Sequence, residues 1–214
     1  MVLYYGSATL FTKPTFGVGN SSNDYGRGFY MTPDKKIADL WASKFPYGGY
    51  NLKFKIDLNK LRILYLNTAT EKDVISWITL LVTHRFDKDE YEKSKETIEW
   101  LKRHYNLNID DYDMIIGYRA DDSYFNYSSE FVQNNLSLEA LSMSMKLGKL
   151  GLQYALISKK AFQLLEFVSY TVVEHSDEYE TFRLKTLNEF REIKKQDNVN
   201  NTFIRDIIRR YPHD

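Results

Sequence analysis

The chain has 214 residues, 43% of them hydrophobic and 27% charged, the profile of one globular domain with room for a helical appendage rather than of a disordered or collagen-like polymer. Lys and Arg total 29 and Asp and Glu total 29, so the net charge is zero; a large nucleic-acid interface is disfavoured, although a local basic patch is not. Cysteine is absent, which excludes disulfides, thiolate metal sites and a cysteine nucleophile, and four scattered histidines argue against a structural zinc site.

Residues 2–5 (VLYY) predict a strand ending at a small-residue turn, Gly6-Ser7. Residues 13–28 are rich in Gly, Asn and Ser and read as a loop, and Phe29–Met31 as a second short strand. Thr32 suits a cap and Pro33 a first helical turn; Ile37, Leu40, Trp41 and Phe45 then predict an amphipathic helix over 33–45. In residues 50–57, Leu52, Phe54 and Ile56 alternate with Lys53, Lys55 and Asp57, the pattern of a strand with one buried face. A strand follows at 61–66, then a helix at 70–85 with Val74, Trp77, Ile78, Leu81 and Val82 on one side. Residues 87–105 predict one charged amphipathic helix, 112–117 a short buried strand, and 119–127 a polar, aromatic loop. A helix over 137–147 capped by Ser137, a strand at 151–158, a helical turn at 159–165 and a strand at 167–173 complete the body. The remainder reads as two charged helices whose apolar stripe, including Phe182, Phe190, Ile204 and Ile207, is able to dock on the body or on a partner. The mixed order of elements predicts an α+β domain with a largely antiparallel sheet. No apolar run reaches the ~18 residues of a membrane span. The first residues lack the basic and apolar regions of a signal peptide, so no membrane role and a cytoplasmic location are expected.

Three short strands carry polar groups that a core strand does not need: Tyr4-Tyr5-Gly6-Ser7, Gly28-Phe29-Tyr30-Met31-Thr32 and Leu152-Gln153-Tyr154-Ala155. Gly17, Gly19, Gly26 and Gly28 bracket the loop between the first two, where glycine lets a backbone approach a ligand closely. By residue type alone Gly6-Ser7 reads first as a tight turn, and Tyr30 equally as a core aromatic or a stacking ring. His84, His104, His175 and His213 show neither a Ser/His/Asp pattern nor metal-ligand spacing.

Taken in order, the three strands resemble the ADP-ribosyltransferase superfamily. Its histidine–tyrosine–glutamate branch carries an L-Y/W-H-G-S strand, a D-F/Y-G-x-G-x-Y strand opening a helix, and a late E-Y strand; here these read Leu3-Tyr4-Tyr5-Gly6-Ser7, then Asp24-Tyr25-Gly26-Arg27-Gly28-Phe29-Tyr30, then Gln153-Tyr154. The closer resemblance, across residues 2–170, is to a bacterial group, the DUF3990 family. It rests also on Ala38-Asp39-Leu40-Trp41-Ala42, on Tyr112-Asp113 through Asp121-Asp122, and on Leu152-Gln153 through Phe167.

The resemblance implies an ADP-ribosyltransferase-like fold over residues 1–170, with a split antiparallel sheet and flanking helices around an NAD cleft, and a helical C-terminal extension over 171–214. It implies NAD as co-substrate and no metal. Gly6 backbone groups would bind the nicotinamide carboxamide, Ser7 the adenosine ribose, and Tyr30 would stack on nicotinamide, with Gly28 beside it and Arg119 at the pyrophosphate; by residue type Arg119 reads first as a surface arginine. Tyr5 stands at the histidine position and Gln153 at the glutamate position, so the implied catalytic trio is Tyr5, Tyr30 and Gln153. The usual carboxylate holds a ribose hydroxyl and stabilises the oxocarbenium-like sugar as nicotinamide leaves. Gln153 can hold the hydroxyl but brings no charge, so slow transfer of single ADP-ribose units is expected, and Gln153→Glu is expected to be faster. Asp121 and Asp122 are the substitute carboxylates, or else a turn or helix cap. The implied function is mono-ADP-ribosyl transfer to a protein or nucleic-acid acceptor by a toxin or phage-defence effector, with an antitoxin protein as partner. The competing readings are a non-catalytic NAD or nucleotide-binding module, and a partner-binding protein with a vestigial cleft.

Overall fold

The computed structural model describes residues 1–67, 70–120, 127–145 and 151–211. In chain order the described elements are β1 (Val2–Ser7), β2 (Phe29–Met31), α1 (Lys35–Ser43), β3 (Gly49–Lys55), a 3-10 turn (Leu58–Lys60), β4 (Ile63–Leu66), α2 (Glu71–Arg85), α3 (Lys88–Lys93), α4 (Lys95–Tyr105), β5 (Met114–Tyr118), α5 (Tyr127–Val132), α6 (Leu138–Ser144), β6 (Leu152–Leu156), α7 (Lys159–Leu164), β7 (Glu166–Val173), α8 (Glu178–Gln196) and α9 (Ile204–Arg209). The domain is α+β. One sheet has the order β1-β3-β7 and is antiparallel; the other has the order β2-β6-β5-β4. β4 and β5 pair in parallel, because the helices α2 to α4 carry the chain back across the sheet between them.

The two sheets meet at one bridge, where Tyr4 N–H donates to Thr32 O at 2.7 Å and Thr32 N–H donates to Tyr4 O at 3.0 Å. Strand alternation then sorts the core into two layers. Leu3, Leu52, Phe54, Met31, Met114, Ile116 and Leu156 pack between the sheets. Ile115 and Ala155 point the other way, into a larger cluster with Trp77, Ile78, Leu101 and Phe131 from the helices. α1 lies on the three-stranded sheet, where Asn51 Nδ2 donates to Lys35 O at 3.1 Å and to Asp39 Oδ1 at 2.7 Å. The apolar stripe of α8 and α9 docks on this chain's own body: Phe190, Ile204 and Ile207 are buried in the helical cluster, and Tyr179 packs with Trp41 and Ile37.

Several local expectations change. The cap of α1 is Asp34, whose Oδ1 accepts the Lys36 N–H at 2.8 Å, rather than Thr32. Gly6 and Ser7 belong to β1, paired with Asn51 and Tyr50, so the strand continues through them. The helix expected over 87–105 divides at Ser94 (φ −132°, ψ 21°), whose N–H donates to Tyr91 O at 3.1 Å; Asp87 caps α3 with a reciprocal Asp87–Glu90 capping box, and Trp100 and Leu101 are buried from the second piece. Tyr127 opens a short helix because Tyr127, Phe131 and Val132 bury one face, with Tyr127 stacked on Trp77 at a centroid distance of 6.0 Å. Among the described residues no helix is long and apolar enough to cross a membrane.

Candidate active site

A cleft of about 720 Å³ opens between the end of β1, the 13–28 loop, α1 and the ends of β5 and β6. Of the nine residues expected to form the site, six line it: Tyr5, Gly6, Gly28, Tyr30, Arg119 and Gln153. They come from four separate stretches of chain. Ser7 does not line it; the Ser7 side chain is buried and its Oγ accepts the Thr9 N–H at 3.2 Å. Asp121 and Asp122 lie outside the described residues.

Residues 24–32 build one wall. Tyr25 is buried, its hydroxyl donating to Tyr118 O at 3.2 Å and accepting from Trp77 Nε1 at 3.2 Å. Gly26 has φ +73°, a conformation that glycine adopts freely, and the place where a Cβ would stand is 3.1 Å from the His84 ring. The Tyr30 hydroxyl closes the turn by donating to Gly26 O at 2.7 Å and accepting the Tyr25 N–H at 3.0 Å. The rings of Tyr25 and Tyr30 stack with centroids 6.2 Å apart.

At the base of the cleft, Gln153 is buried and its Nε2 donates to Asp24 Oδ2 at 2.7 Å and to Tyr118 O at 3.4 Å. Asp24 Oδ2 also accepts the Ala120 N–H at 3.0 Å, and Asp24 Oδ1 accepts from Arg85 Nη1 at 2.7 Å. Across the cleft, the Arg119 guanidinium stacks over the Trp41 ring of α1 at 4.1 Å, joining the two sheet halves. Tyr5 packs on Phe29 at 4.5 Å and on Phe11 at 5.8 Å. Burial raises the pKa of Tyr5, Tyr25 and Tyr30 above the ordinary phenol value, with Arg119 partly opposing it at Tyr5 and Asp24 adding to it at Tyr25 and Tyr30. These phenols therefore act as neutral hydrogen-bonding and stacking groups.

Asp24, Arg85, Trp41, Lys13 and Lys44 also line the cleft, and sequence reasoning gave them no part in it. Asp24 stands first in the most specific sequence block, which is a signal of position but not of role. Arg85 had no signal; it lies 61 residues from its carboxylate. Chemically, the cleft offers aromatic faces, four cationic side chains (Lys13, Lys44, Arg85 and Arg119) and a bonded Asp24–Gln153 pair. That set suits a ligand with flat rings and negative charge. Among the described residues no cluster of three or more His, Cys, Asp or Glu is placed to hold a metal ion.

A family model described as a protein of unknown function (DUF3990) matches residues 1–167. No curated protein and no solved structure matches the chain.

Proposed function

The chain belongs to the DUF3990 family, and on that premise we propose that it is an ADP-ribosyltransferase-like protein that binds NAD in this cleft and transfers single ADP-ribose units to a protein or nucleic-acid acceptor. One observation carries the reading: Tyr5, Gly6, Gly28, Tyr30, Arg119 and Gln153, distant in sequence, line one cleft of about 720 Å³, a volume in the range of small-molecule sites. Tyr30 and Tyr5 offer ring faces for nicotinamide, and Arg119, Lys44 and Lys13 offer charge for a pyrophosphate. Gln153 is the group that would hold a ribose hydroxyl. In the reaction the bond between ribose C1′ and the nicotinamide nitrogen breaks with its electron pair leaving on nicotinamide. The acceptor then bonds C1′ and releases a proton to solvent.

The second reading, a module that holds a nucleotide without turning it over, is favoured by the amide at position 153. Calorimetric titration with NAD, followed by incubation with labelled NAD and detection of free nicotinamide, separates the two. Binding with nicotinamide release supports transfer, and binding without release supports the module. No heat of binding and no rise in melting temperature at millimolar NAD removes the transfer reading and NAD as the module's ligand, since a ligand specific for the native state must stabilise it.

A further inference from the structure

Gln153 does not leave the cleft without a carboxylate. Asp24 is the one carboxylate among the described lining residues, and it is only 6% exposed. Arg85 and the Ala120 N–H hold it, and its Oδ2 takes the Gln153 Nε2 at 2.7 Å. A flipped Gln153 would set its carbonyl oxygen against that carboxylate, two acceptors facing each other with no proton between them. Among the described residues, Gln153 Nε2 also donates to Tyr118 O at 3.4 Å. The carbonyl oxygen Oε1 thereby lies on the side of the amide turned away from the Asp24 carboxylate.

We propose that Asp24 is a positioning residue for the transfer reaction: it fixes the Gln153 amide with Oε1 toward the ribose and polarises it, so that negative charge missing from residue 153 is supplied from one hydrogen bond behind. This rests on the NAD-cleaving reading above. As the C1′–nitrogen bond breaks and its electron pair leaves on nicotinamide, positive charge gathers on the ribose. An oriented carbonyl backed by a buried carboxylate stabilises that charge without reorganising, which is where such groups act most strongly. The acceptor then bonds C1′ and its proton passes to solvent, so no further reactant is needed.

The test moves the charge from one residue to the other in the full chain. NAD affinity is measured by calorimetry, and cleavage by nicotinamide release, for wild type, Asp24→Asn, and the double variant Asp24→Asn/Gln153→Glu. Asp24→Asn is expected to cleave on the order of ten-fold or more slowly, in line with loss of one electrostatic contact in a transition state. Its NAD affinity is expected to stay close to that of wild type, a split that simple damage to the fold does not produce. The double variant, with its carboxylate at position 153 and an amide at 24, is expected to recover the lost rate. A wild-type rate in Asp24→Asn, or a double variant as slow as Asp24→Asn, overturns the proposal. Should Asp24→Asn fail to fold, wild type is compared with the double variant directly, and a loss of about a hundred-fold there overturns it as well. Wild-type protein that neither binds nor cleaves NAD removes the underlying reading and this role with it. Wild-type protein that cleaves NAD no faster than Asp24→Asn removes only the role of Asp24.

Discussion

The side-chain nitrogen of Gln153 lies 2.7 Å from Asp24 Oδ2, a hydrogen bond between residues 129 positions apart in the chain. It changes what a carboxylate at position 153 would do. In Gln153→Glu the introduced carboxylate would face Asp24 across a buried contact, and the repulsion between two carboxylates so placed raises the pKa of one of them. Gln153→Glu alone is therefore expected to be less stable by about 1–3 kcal/mol near neutral pH, the range for a buried polar group that loses its partner, and to cleave NAD more slowly than wild type. This reverses the gain that residue types alone suggest. A folded-state value raised above the unfolded one gives stability that is present at low pH and lost as pH rises, so the deficit should widen from about pH 5 to pH 8. Melting curves of both proteins across that range check it; a deficit independent of pH would count against contact between the new carboxylate and Asp24.

Tyr30 has two separable contributions. Its hydroxyl satisfies Gly26 O and the Tyr25 N–H, and its ring stacks on Tyr25. Tyr30→Phe keeps the ring and leaves two backbone groups unsatisfied, so a loss of about 1–3 kcal/mol in stability is expected, with NAD affinity changed little. Tyr30→Ala is expected to weaken NAD binding further, by about 1–3 kcal/mol on the scale of aromatic–base stacking. Chemical denaturation and calorimetry on the two variants decide the matter. Equal loss of affinity in both would mean that the ring does not touch the ligand.

Gly6 lines the cleft and is also where α1 crosses β1. A Cβ there would press on Ala38 O, and would stand 2.7 Å from the Trp41 Cβ and 2.8 Å from the Ala42 nitrogen. These are backbone and rigid contacts, so Gly6→Ala is expected to force α1 outward and to destabilise by about 1–3 kcal/mol, as overpacking does. Because Trp41 carries the Arg119 stack, cleft binding should fall too. A variant with wild-type melting temperature and NAD affinity would show that α1 yields without consequence.

His84 sits beneath Gly26, and burial lowers its ionisation below the ordinary value, with Asp24 opposing the shift. A depressed folded-state value gives stability that is present above the unfolded value of about 6.5 and is lost as pH falls through the folded value. The melting temperature of wild type should drop on acidification from about pH 7.5 to below pH 6 more than that of His84→Gln. Parallel pH profiles for the two proteins would remove His84 as a source of acid sensitivity.

Local pattern made much of the architecture legible. The alternation of Leu52, Phe54 and Ile56 against Lys53 and Lys55 marks the buried face of β3, because burial of one face imposes a period of two on the residues themselves. The one-sided spacing read for α2 does not describe its burial: every residue from Val74 to Val82 is buried, because β4, α4, α5 and α6 all pack on this helix. The cleft itself came only from the resemblance carried by the three polar strand blocks; Tyr5, Gly28, Tyr30 and Gln153 line one cleft in the fold, and Ser7 does not. Long-range contact decided the rest. Gly6 stays in its strand because Asn51 pairs with it, and the tail belongs to the body because Phe190, Ile204 and Ile207 find the helical core. The Arg85–Asp24–Gln153 link depends on the register of β5 against β6 and on the path of the 13–28 loop, and nothing periodic in the chain encodes which buried carboxylate meets which amide.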